Sequence, residues 1–127
     1  MKTLPKTPMR RFAQNIRPRV QAELQAAERL HRQGLAKQAF RHLERAHVLG
    51  QASTVEHVRV HWRMLRWGWQ QGSVKEVLGQ LTRIIGAATK TALGWVPRGN
   101  TGGANISPFR SLPVPADLQK QIDAAKG

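Results

Sequence analysis

Three histidines stand at helical spacings that bring them onto one face each of two neighbouring segments: His47, then His57 and His61. Glu44 lies one turn before His47, so the set reads Glu-x-x-His, a short turn, then His-x-x-x-His. Residues three or four apart on a helix are surface neighbours, and two of them can chelate one ion. Neutral imidazole and carboxylate suit zinc, iron, nickel or copper. With no cysteine in the chain, thiolate ligation and disulfides are excluded, and any metal must be held by nitrogen and oxygen.

Helices must present these groups to one another. On a wheel of about 100° per residue, His57 and His61 fall centrally on an arc with Met64, Leu65 and Gly68. Arg59, Arg63, Arg66 and Glu56 fall opposite, which reads as the solvated side. His47 shares its arc with Leu35, Ala39, Leu43 and Phe40, and Glu44 lies at the border. If the two helices run antiparallel across a short loop, His47 comes level with His57 and Glu44 with His61. Glu23, on a preceding helix, lies level with Glu44 and is a possible fifth donor. The expected site is therefore mononuclear: Glu44, His47, His57 and His61, with Glu23 as a further candidate. The Glu-x-x-His element resembles that of di-iron helical bundles, but those use two copies with two further glutamates, and this chain has one. The alternative is that the histidines are core residues satisfied by hydrogen bonds, Glu44 to His61 among them.

The helices are read as follows. Pro18 suits the first position of a helix, which then reaches about Gln33 and stops at Gly34. A second runs from Ala36 to Leu49 with Gly50 as its stop. Ser53 or Thr54 caps a third, extending to about Gln71, and Ser73 caps a fourth, reaching about Thr91. Gly34-Leu35-Ala36-Lys37-Gln38-Ala39-Phe40 aligns with Gly72-Ser73-Val74-Lys75-Glu76-Val77-Leu78 at an offset of 38 residues. Two stacked helical hairpins would produce such a repeat. It resembles the tetratricopeptide unit in its glycine turn, although that repeat is about 34 residues long and carries Trp, Tyr and Pro positions missing here. The stretch from Trp95 through Gly99, Gly102, Gly103 and Pro108 to Pro115 cannot be a regular helix. Its apolar residues (Trp95, Val96, Ile106, Phe109, Leu112, Val114) imply a strap docked on the helices. Asp117 then caps a short final helix, Leu118 to Ala125.

The expected fold is thus all-α: a compact four-helix arrangement of two helical hairpins, tetratricopeptide-like, with an irregular Gly/Pro-rich C-terminal strap. One domain is expected, with a basic N-terminal arm over 1–16, a helical core over 17–93, the strap over 94–116 and a short helix or tail over 117–127. Trp62, Trp67, Trp69 and Trp95 are expected in the core and not as a stacking platform, and His31 is expected there too.

The net charge of +14 is uneven, with fourteen Lys and Arg against four Glu over residues 1–66. An acidic partner follows as the alternative to metal binding: a basic helical interaction module in which Lys37, Arg41, Arg45, Arg59, Arg63 and Arg66 meet nucleic acid or an acidic protein. An ordinary solvated helix face has the same appearance. No secretory signal and no membrane span are legible, since the most apolar window, Val77 to Val96, contains Arg83 and Lys90. A cytoplasmic protein is expected. No nucleophile motif surrounds Ser53, Ser73, Ser107 or Ser111, so the reading leans away from an enzyme.

The string from His42 to Gln51, the later His57 and His61 with Met64 and Leu65, the segment Gly99-Asn100-Thr101-Gly102-Gly103-Ala104-Asn105 and the closing Pro113-Val114-Pro115 together resemble a bacterial family catalogued as domain of unknown function 3703. The resemblance covers most of the chain. It implies a small, single-domain, stand-alone bacterial protein and carries no activity with it.

Overall fold

The computed structural model describes residues 7–92, 98–104, 106 and 111–127. Five helices and no strand occur among them: α1 (Pro8–Arg32), α2 (Ala36–Gly50), α3 (Thr54–Gln70), α4 (Val74–Ala92) and α5 (Ala116–Ala125). The helices pair as α1 with α2 and α3 with α4, and α2 packs on α3 to join the two hairpins. The expected positions of Trp95, Val96 and Phe109 in the strap lie outside the described residues.

The 38-residue repeat is a repeated turn. After α1, Leu35 N–H donates to the Leu30 carbonyl at 2.9 Å and Gly34 N–H to His31 at 3.0 Å. After α3, Ser73 N–H donates to the Gly68 carbonyl at 2.9 Å and Gly72 N–H to Trp69 at 3.1 Å. This is the Schellman pattern, which needs a left-handed residue at its apex, and Gly34 (φ 80°) and Gly72 (φ 68°) supply it. Ser73 also caps α4 through the Glu76 N–H.

α1 is ten residues longer than expected. It begins at Pro8, capped by Thr7, whose hydroxyl accepts from Arg10 N–H at 3.2 Å, so half of the expected basic arm is helix. Pro18 sits inside it. An interior proline costs about 3 kcal/mol, but Phe12 and Ile16 are both buried, at about 1.5–3 kcal/mol each. Continuing the helix through the proline extends the stripe Val20, Leu24, Ala27 back to them. The last helix docks here as well: Leu118 is buried, and Asn15 Nδ2 donates to the Ala125 carbonyl.

Three other expectations are corrected, whereas Gly50 ends α2 as expected and is packed so closely that a Cβ there would stand 2.9 Å from Glu56 Cβ and 3.2 Å from Val20 Cγ2. That close approach draws Glu56 into the interior, where it is 2% exposed and is flanked by Arg59 and Arg17 at 3.5 and 4.0 Å instead of facing solvent. Trp62 and Trp69 are exposed. Only Trp67 among the three packs inward, against Phe40 with ring centroids 4.5 Å apart, and its Nε1–H donates to the Ala36 carbonyl. His31 is only half-buried and lies beside Gln71.

Candidate metal centre

Four elements converge on the histidines. α2 contributes His47 from the buried face that also carries Leu43 and Ala46, and α3 contributes His57 and His61 from the face of Val60 and Met64. Each of the three histidines is at least 96% buried. The Nε2 atom of His47 lies 3.0 Å from Nε2 of His57 and 3.2 Å from Nε2 of His61. One ligand atom from each of the three can be drawn within 4.8 Å of the others, among the described residues. Two nitrogens on a tetrahedral zinc ion, each at 2.0–2.1 Å, would stand about 3.3 Å apart. The observed spacings are close to that.

The outer nitrogens decide what the inner ones can do. His47 Nδ1 is 2.6 Å from the Asn100 carbonyl, which can only accept, so Nδ1 carries the hydrogen. His61 Nδ1 is 2.5 Å from Gln80 Oε1. The amide orientation is fixed by its other end, where Gln80 Nε2 donates to Glu76 Oε1 at 2.8 Å and to the Gly102 carbonyl at 2.9 Å. His61 Nδ1 therefore also donates. When neutral, both rings then present lone pairs from Nε2 atoms 3.2 Å apart, which repel unless a proton or a cation lies among them. Metal-ligating histidines show this same arrangement, donating the far N–H to a carbonyl or carboxylate so that ring and tautomer are fixed.

The strap closes the site. Asn100, Gly102 and Gly103 are buried, and Asn100 Oδ1 accepts from Gly102 N–H at 2.9 Å, turning the chain so that two of its carbonyls reach the site. Gly102 (φ 82°) rests directly on the His47 ring; a Cβ there would lie 2.4 Å from Cδ2. Glu76 also accepts from Ala104 N–H at 3.2 Å, tying the strap to α4.

The two carboxylates named from the sequence take different places. Glu44 is half-buried beside the strap. Burial pushes its carboxyl above the ordinary carboxylate range, and Glu76 adds to this, against the hydrogen bond from Thr101 and the charge of Arg41. Glu23 is held by other partners: His42 Nδ1 at 2.6 Å and Arg45 Nε at 3.0 Å. Neither belongs to the cluster of potential ligand atoms, which contains the three histidines alone. Gln80, Glu76, Asn100 and Gly102 were not expected at the site. A glutamine within the apolar run of α4 and an asparagine among strap glycines were the available signals.

Four of the six basic residues named for an acidic partner are engaged within the fold. Arg45 bonds Glu23 and Asp117, Arg59 faces Glu56, and Arg63 and Arg66 share Glu28. No described helix is long and apolar enough to cross a membrane.

No curated protein and no solved structure matches the chain. A family model does, that of the protein of unknown function DUF3703, over residues 14–122. That match spans the three helices and the strap that build the site, and the chain belongs to the DUF3703 family.

Proposed function

We propose that the protein binds one divalent transition-metal ion through the Nε2 atoms of His47, His57 and His61, and that it serves in metal handling or sensing. The observation that carries this reading is the pairing of inward lone pairs with outward N–H groups held by Asn100 and Gln80. Three imidazoles and no thiolate favour zinc, iron, nickel or copper over magnesium or calcium. Glu44, one turn from His47, supplies the fourth ligand in this reading, or else a water does; a cation beside it would relieve the cost of its buried charge. Glu23 is left out of the set, because its carboxylate already neutralises Arg45 and meets His42.

The test is elemental mass spectrometry on tag-free protein purified without chelating resin, beside the His47→Ala, His57→Ala, His61→Ala triple variant. Near-stoichiometric metal in the first and none in the second is expected. At free metal about 1,000 times Kd, binding adds about 4 kcal/mol to stability, a rise in Tm of roughly 10–20 °C for a chain of this length. Absence of metal together with an unchanged Tm on adding each of the four ions would return the histidines to a purely structural role.

A further inference from the structure

α4 is amphipathic in reverse. Its inward face carries Glu76, Gln80 and Arg83, which bond the strap and His61. Its outward face carries Val74, Leu78, Leu81 and Ile85, exposed by 70, 59, 47 and 73%. Among the exposed positions from 74 to 89 of this helix, Lys75 is the one charge. The spacing of these four residues is four, three, four, the alternation of a coiled-coil seam.

α3 continues the same surface. At about 100° per residue, its side facing α4, which includes His61 and Gly68, grades through Leu65 into Trp62 and Trp69, exposed by 56 and 75%. On α4 the strap contacts through Gly79 and Arg83 lie on the flank opposite Leu81 and Ile85. Both apolar stripes therefore adjoin the α3/α4 seam on the side away from the strap.

We propose that a second copy of this chain docks on this face, so that α3 and α4 of each copy form a four-helix layer about a twofold axis. Charge restricts where two copies can meet: chains of net charge +14 repel over most of their surfaces, and this nearly uncharged face is where that repulsion is least. The area suffices as well: the exposed parts of these six side chains total roughly 700 Å², against about 800 Å² per partner in a standard interface. A seam centred between Leu78 and Leu81 is self-complementary, as a twofold contact requires, with Val74 facing Ile85 and Leu78 facing Leu81 of the other copy.

Sedimentation velocity across about 1–100 µM should give a species of twice the 14.2 kDa chain mass, undiminished in 1 M salt because the contact is apolar. Leu78→Glu with Ile85→Glu should weaken association at least about 100-fold while circular dichroism shows unchanged helix content. Should that variant misfold, single cysteines decide, since the chain has none of its own. Leu81→Cys should oxidise to a covalent dimer, and Gln21→Cys, exposed on α1, should not. A wild-type chain that stays monomeric throughout, a double variant that folds and still dimerises, or equal cross-linking of both cysteines would overturn the proposal. So would a monomer that instead coats anionic phospholipid vesicles through the same residues.

Discussion

Substituting alanine for Gly102 tests the seating of the strap on the proposed metal centre. The residue has φ 82°, and placing an L side chain in the left-handed region costs about 1–2 kcal/mol. The new Cβ would also stand 2.4 Å from His47 Cδ2, 2.6 Å from Cγ and 2.9 Å from Nε2. Relieving such a collision in a packed interior costs a further 1–3 kcal/mol or so. The sum, about 2–5 kcal/mol, is a large part of the total stability of a small domain. Gly72→Ala is the matched control, with φ 68° and nothing within 4 Å of its added Cβ, so it carries the backbone cost alone. The smaller benefit of narrowing the unfolded chain applies equally to both. In urea unfolding of metal-free protein, Gly102→Ala should therefore lose about 1–3 kcal/mol more than Gly72→Ala. It should also bind metal about 10–100-fold more weakly, because the His47 ring is displaced, while Gly72→Ala binds as wild type. Equal stability and equal affinity in the two variants would refute the account of the strap as the support of His47.

Two further variants probe the surroundings of the ligands. Gln80→Leu removes the acceptor of His61 Nδ1–H and the donor to Glu76 and Gly102; metal titration should show affinity reduced about 10–100-fold with all three histidines intact. Glu44→Gln has opposite effects with and without metal. The folded state raises the Glu44 pKa, so the unfolded chain loses this proton at lower pH, and ionisation costs stability as pH rises through the folded value. In metal-free protein at pH 7 the variant should melt higher than wild type, and the difference should fade in acid, where both are neutral. With metal bound, the order should reverse if Glu44 is a ligand, and calorimetry on the two forms measures it directly.

Much of this was legible in the sequence because helical hairpins are locally encoded. Glycines at 34 and 72 with matched flanks announced two identical turns, and the 3.6-residue period placed His47, His57 and His61 inward. The start of α1 was missed because a proline at 18 reads as a beginning, and only the burial of Phe12 and Ile16 shows why the helix runs through it. Glu56 was misplaced because its wheel position is solvated in an isolated helix, whereas Gly50 lets α3 approach so closely that the position is enclosed. Trp62 and Trp69 were assigned to the core because they continue the apolar arc of the α3 wheel, and a wheel does not show how wide an arc its neighbours cover; both are exposed. Gln80 and Asn100 reach the histidines from 19 and 53 residues away along the chain, and periodicity carries no information over such distances.

The convergence of α2, α3, α4 and the strap also bears on how the chain holds itself together. His47 belongs to the first hairpin, His57 and His61 to the second, and the supporting carbonyls to a segment with no regular structure. An ion at their meeting point would add a coordinate cross-link between parts that are otherwise joined by packing, hydrogen bonds and a few ion pairs. In a chain without cysteine it would do the work of a disulfide, yet it would open with acid or chelation instead of reduction. Occupancy would then report that both hairpins and the strap are in place, and loss of the ion would loosen all three together.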